Sequence, residues 1–107
     1  MPSYLIQVAY TPETLKALIK KPHDRAAVVG KAIEKLGGKM TGFWLSFGDY
    51  DVVGIFDMPD NSSAAAFALA IGAGGGCKSV KTTPLLSMEE GIVTFKKAGG
   101  TGYKPVS

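Results

Sequence analysis

Three short stretches and one aromatic pair of this 107-residue chain carry side chains able to do chemistry. The first is Gly48-Asp49-Tyr50-Asp51, two carboxylates and a phenol beside a glycine. At the mouth of a cavity such a group could bind a cation or position a polar ligand. A hard cation wants several convergent oxygens, and only two carboxylates are local. A structural role is therefore the stronger: the glycine turns the chain, Asp49 or Asp51 caps local amides, and the Tyr50 ring packs over a sheet edge. The second stretch, His23-Asp24-Arg25, follows Pro22 directly. His23 is the sole histidine, which excludes a multi-histidine metal site within one chain. It is a candidate general base, imidazole being the usual one near neutral pH. Asp24 reads as a helix cap, and Arg25 either pairs with Asp49 or Asp51 across the fold or holds an anionic ligand.

The third candidate pair is aromatic: Trp44 and Tyr4, at strand positions, either line a ligand cavity on an open sheet face or pack as core. The fourth stretch, Gly72 to Ser79, comes close to a phosphate-binding loop. Cys77 stands where the second glycine is needed, and the run leaves a helix to enter a strand, the reverse of the required order. Cys77 as a nucleophile lacks an identifiable base partner. The ligand-binding candidates are therefore Arg25, Trp44, Asp49, Tyr50 and Asp51, with His23 and Asp51 as candidate catalytic bases. No metal site and no cofactor is expected.

These groups must be positioned by regular elements, and the pattern of residues predicts them. Ser3–Tyr10, rich in β-branched and aromatic residues, reads as a first strand. Thr11-Pro12-Glu13 opens a helix with a hydroxyl cap, a proline in the first turn and an acid at the positive dipole end. Its apolar stripe is broken at Pro22 and resumes at Ala26, Val29, Ile33 and Leu36. Gly37-Gly38 ends it, giving one kinked helix or two in series. Lys39–Phe47 and Asp51–Met58 read as a hairpin around Gly48-Asp49-Tyr50. Pro59-Asp60-Asn61-Ser62 initiates an alanine-rich helix over Ser63–Ile71, stopped by the glycines from Gly72. Lys78–Leu86 is a fourth strand, with Pro84 arguing for an edge or a bulge. Ser87 to Glu90 fits a capping box, followed by Met88, Ile92 and Phe95 at helical spacing, although Gly91, Val93 and Thr94 leave a strand open. Residues 3–98 form the core of a single domain, and 99–107 a mobile tail.

Composition bounds what such a domain does. Apolar residues at 46% and charged residues at 20% describe a globular protein, not a disordered one. The net charge of +3 is carried by dispersed lysines, not by the dense basic patch with stacking aromatics that nucleic acid requires. The single cysteine cannot form an internal disulfide and points to a reducing compartment. The N-terminus lacks a signal-peptide pattern, and no run approaches ~18 uninterrupted apolar residues. A cytoplasmic protein with no nucleic-acid or membrane partner is expected.

The order β-α-β-β-α-β predicts an α+β, ferredoxin-like sandwich, an antiparallel sheet with helices on one face. Strand alternation places Tyr4, Ile6, Val8 and Tyr10 on one side of the first strand and Leu5 and Ala9 on the other. It places Met40 and Trp44 opposite Phe43, Leu45 and Phe47, and Val52, Phe56 and Met58 opposite Val53 and Ile55. Both faces are apolar, and two helices cover one. A monomer tolerates an exposed apolar patch of about 300–600 Å², and burial contributes roughly 25 cal/mol per Å². The expected partner is therefore a second copy, unless the C-terminal segment folds over the face.

Taken together in order, Gly48-Asp49-Tyr50-Asp51, the Thr11-Pro12-Glu13 helix start, Arg25 after a proline, Pro59-Asp60 and the alanine-rich helix resemble the bacterial GYD-domain family. The resemblance covers about residues 3–98 and departs at the Gly72–Gly76 run, where a shorter loop is expected. It implies a place in the dimeric α/β-barrel group, in which two such sheets pack face to face, and brings no catalytic residues. The leading expectation is a homo-oligomer, dimeric or higher, that binds a small molecule in or beside an inter-subunit barrel. The others are an enzyme resembling the cofactor-independent monooxygenases or isomerases, with His23 or Asp51 as base, and a purely structural assembly subunit.

Overall fold

β1 (Ser3–Tyr10) runs down the middle of a four-stranded sheet, hydrogen-bonded to β3 (Val52–Asp57) on one side and β4 (Cys77–Leu85) on the other. β2 (Lys39–Leu45) completes the antiparallel order β2-β3-β1-β4. The structure is a computed structural model and describes residues 1–106. The helix broken at Pro22 is two helices, α1 (Pro12–Lys20) and α2 (Arg25–Lys35), and α3 (Asn61–Ala73) and α4 (Met88–Gly99) follow. Pro84 lies on an edge strand, as a residue without an N–H should.

The helix starts are set by short polar side chains. Thr11 accepts from the Thr14 amide, Asp24 from Ala26, and Asp60 from Ser63. Ser87 and Glu90 close a reciprocal capping box, so the segment after β4 is a helix rather than a strand. α2 ends where Gly37 N–H bonds Glu34 O and Gly38 N–H bonds Ile33 O. Gly37 has φ +83°, the left-handed conformation such a helix stop needs.

The core lies between the sheet and α2 and α3. Tyr4, Ile6 and Val8 of β1, Val52 and Phe56 of β3, Met58, Ile33 of α2, and Ala64 and Phe67 of α3 are all buried. Phe56 is its hinge point: Tyr4 stacks on it with centroids 5.6 Å apart, and Phe67 meets it edge-on at 5.3 Å. The Tyr4 hydroxyl escapes burial unpaired by donating to Asn61 Oδ1 at 2.6 Å. Tyr4 therefore belongs to the covered face and lines no cavity on the open one.

β2 also departs from simple alternation. Its register against β3 passes from Met40↔Phe56 to Gly42↔Ile55, leaving Thr41 as an extra residue. That bulge reverses the parity of the strand. Met40 and Phe43 pack together on the helix side, against the expectation that they oppose each other. Trp44 lies on the open face with its ring over Gly42, where a Cβ would collide with the indole. Phe47, beyond the end of β2, is fully exposed and belongs to neither face.

On the open face stand Leu5 and Gln7 of β1, Val53 and Ile55 of β3, Trp44 of β2, and Lys81, Thr83 and Leu85 of β4. α4 does not cover them. None of its residues is buried, and Ile92 and Phe95 are 54% and 72% exposed. The radius of gyration, 16.9 Å, exceeds the approximately 13 Å of a compact chain of this size, as a projecting helix requires. Thr101–Val106 have no regular structure, and Ser107, part of the expected tail, lies outside the described residues.

Two glycines separate backbone fit from helix propensity. A Cβ at Gly38 would strike the Asp57 carbonyl oxygen and lie 2.5 Å from Met58 Sδ, whereas at Gly72, late in α3, it would meet nothing within 4 Å. Gly38→Ala is expected to lower stability by about 1–3 kcal/mol, and Gly72→Ala to raise it by about 0.5–1 kcal/mol. Opposite shifts of the urea midpoint at constant slope are the expected reading.

Candidate functional site

The side chains with chemical potential converge at one end of the sheet, on its helix side. There the C-terminal end of β1 delivers Tyr10, the start of α2 delivers Arg25, and the start of β4 delivers Cys77. They border a cavity of about 400 Å³ whose other walls come from α1 (Thr14, Leu18) and the end of α3 (Ile71). A smaller hollow of about 60 Å³ adjoins it, again against Tyr10, Arg25 and Cys77. A third, of about 310 Å³, opens on the far side of Arg25 toward Phe43 and Leu45. Tyr10 and Arg25 are common to all three.

Hydrogen bonds fix this corner. The Gly76 carbonyl accepts from the Thr11 amide at 3.1 Å and from the Thr14 hydroxyl at 2.8 Å, tying the loop before β4 to the start of α1. Asp51 Oδ2 accepts the Tyr10 amide at 2.8 Å, and the Asp51 amide donates to Val8 O at 2.8 Å. The bulge between Ala9 and Tyr10 in the β1–β4 register re-aims Tyr10, pairing it with Cys77 across the strands. Arg25 Nη1 lies 3.4 Å from His23 Nε2, and the Tyr10 phenol is beside the same guanidinium.

The surroundings raise the pKa of both weak acids. Burial pushes the Tyr10 phenol above its ordinary value of 10.0; Arg25 opposes the shift, and Cys77 and Asp51 add to it. Burial likewise pushes the Cys77 thiol above 9.0, with Arg25 partly offsetting it. At neutral pH the cavity therefore presents an O–H donor, an S–H and a guanidinium. A protonated thiol is a poor nucleophile.

Of the residues singled out in the sequence, the fold brings His23 and Arg25 to this cavity and sets Asp51 at its back, where it holds the backbone of Tyr10. Arg25 pairs with neither Asp49 nor Asp51; its neighbours are His23 and Tyr10. Asp49 is exposed on the turn and Tyr50 is half-buried there, its carbonyl taking the Ser46 hydroxyl. Gly48, at φ +123°, turns the chain as expected. Trp44 is on the opposite face of the sheet. Tyr10 and Thr14 were missed because they read as a strand end and a helix start. Cys77, which has no base partner in the sequence pattern, stands beside Tyr10 of β1 and Arg25 of α2. Among the described residues no group of three or more His, Cys, Asp or Glu is placed to hold a metal ion.

An antiparallel sheet in the order β2-β3-β1-β4 with helices on one face is the ferredoxin-like α+β fold. The GYD domain model matches residues 4–93; the chain belongs to the GYD-domain family. Among solved structures, the chain is similar to TTHA0845 of Thermus thermophilus, with a TM-score of 0.54 at 16% identity, covering 81% of this chain and 95% of that one. It is also similar to the C-terminal domain of the MgtC protein of Mycobacterium tuberculosis, with a TM-score of 0.57 at 13% identity, covering 79% and 88%. At such identities the likeness is one of fold. No curated protein matches the chain significantly. Among the described residues no helix is long and apolar enough to cross a membrane.

The raised thiol and phenol have a consequence in alkali. Each group keeps its proton in the folded state over a range where the unfolded chain has released it. Their contribution is thus intact below about pH 9 and is lost as pH climbs through the folded-state values. Thermal melts from pH 8 to 11 are expected to show a falling midpoint, less steep in Cys77→Ser and in Tyr10→Phe.

Proposed function

We propose that this GYD-domain protein is a homo-oligomeric module that joins copies through the open sheet face and binds a small molecule in the cavity on the helix side of each sheet. The observation that carries the reading is the uncovered face itself. Leu5, Val53, Ile55 and Leu85 form a continuous apolar strip with Trp44, which is 55% exposed. The helices occupy the other side, and α4 projects with Met88, Ile92 and Phe95 toward solvent.

A second copy answers both exposures at once. A sheet packed on a sheet buries the strip at roughly 25 cal/mol per Å², and two-fold symmetry makes the same patch serve both partners. A 12-residue helix is marginal alone in water, so α4 also gains from a neighbour. The cavity at Tyr10 and Arg25 lies on the helix side, outside any barrel the two sheets enclose, so each copy carries its own. An enzyme of the cofactor-independent kind would need a base facing the cavity. Asp51 already spends Oδ2 on the Tyr10 amide, and His23, though it lines the cavity, has its ring nitrogens against Lys21 O and Arg25 Nη1, so binding is the better-supported role.

Sedimentation velocity at micromolar concentration is expected to give a dimer or larger species. Ile55→Lys, which sets a charge in the middle of the strip, is expected to sediment as a single subunit with unchanged far-ultraviolet circular dichroism. A wild-type protein that runs as one subunit would end the proposal of self-association.

A further inference from the structure

The cavity at the end of β1 has a definite chemistry. Arg25 is the one formally charged residue in the lining of the 400 Å³ space, and no aspartate or glutamate borders it. The neighbours of the guanidinium, His23 and Tyr10, are not carboxylates. A planar fork of N–H donors is therefore free of a fixed anion and faces a hollow. Opposite it the walls are apolar, from Ala17 and Leu18 on α1 to Ala70 and Ile71 on α3. The volume is at the small end for ligand sites, which run from about 300 to 1,000 Å³.

We infer that this cavity binds a small monocarboxylic acid, its carboxylate on Arg25 and the Tyr10 hydroxyl and its apolar body between Leu18 and Ile71. The inference rests on the reading of this cavity as a binding site and supplies its ligand class. Guanidinium and carboxylate match in shape, so two parallel N–H donors engage two oxygens. The phenol, which carries its proton at neutral pH, donates to the same group. Phosphate carries more charge than one guanidinium balances and has no apolar part for the rest of the walls. A cation would face Arg25 directly.

Benzoate, benzamide and benzylamine share one ring and differ in charge, so together they test the ligand class without altering the protein. With ¹⁵N-labelled wild-type protein, benzoate is expected to shift the amide resonances of Tyr10, Thr14, Ile71 and Cys77 with a Kd of about 1 mM or below. Benzamide is expected to bind at least about tenfold more weakly, and benzylamine and inorganic phosphate not to compete. Arg25→Gln should weaken benzoate by about tenfold to a hundredfold. Arg25→Lys, which keeps the charge and loses the fork, should fall between the two. Benzamide or benzylamine binding there as tightly as benzoate would overturn the ligand class and leave the cavity a binding site. Phosphate displacing benzoate would overturn the class in the same way. No shift at those residues with any of the three ring probes at about 10 mM would overturn the site itself. Sedimentation of the same samples keeps self-association separate: a dimer in which none of the three ring probes shifts those residues would defeat this inference and the binding role while sparing the interface.

Discussion

The structure depends on the eight residues of β1. This strand is hydrogen-bonded along both edges, to β3 and to β4, and its side chains project alternately from two faces. One row, Tyr4, Ile6, Val8 and Tyr10, is the floor of the core. The other row, Leu5 and Gln7, looks out from the middle of the uncovered face. Because the strand is central, whatever covers one of its rows cannot cover the other. Burying the first row beneath α2 and α3 leaves the second without a covering layer from those helices.

The same strand sets the position of the cavity. Where β1 ends, the bulge at Ala9 and Tyr10 breaks its register with β4, and the chain turns into α1 under the Thr11 cap. Hollows of about 400, 310 and 60 Å³ meet there at Tyr10 and Arg25. A protein interior is normally close-packed, so hollows that meet at one arginine and one phenol mark a local break in that packing. Asp51 joins the two halves of this region. Its carboxylate holds the Tyr10 amide and its own amide holds the Val8 carbonyl, so the turn between β2 and β3 secures the end of β1.

Family membership and the solved relatives agree with this architecture. Structures at 13% and 16% identity share it, which is what is expected when the pattern of apolar rows, not the particular residues, specifies a fold. The chemistry at the Tyr10 corner depends on individual side chains and so cannot be carried over from such distant relatives. It has to be read from this chain's own arginine, phenol and thiol.

Local pattern decided the elements. Period-two apolar rows, hydroxyl and carboxylate caps, the paired glycines after Leu36 and the break at Pro22 each act within a few residues of themselves, so β1, the caps and the order of strands and helices were legible from the sequence alone. So were Gly48's turn and the apolar character of both sheet faces. Three features were not, each because it depends on residues distant in the chain. The extra residue at Thr41 exists only by reference to β3, and it reversed which of Met40, Phe43 and Trp44 faces the core. The Tyr4 hydroxyl is tolerable in the core only because Asn61, 57 residues away, is there to accept it. The cavity joins Tyr10, Arg25 and Cys77, a strand end, a helix start and a strand start, which lie far apart in sequence and meet only when the sheet is assembled. Short-range sterics and hydrogen bonding write themselves into the sequence, whereas a cavity is made by long-range packing.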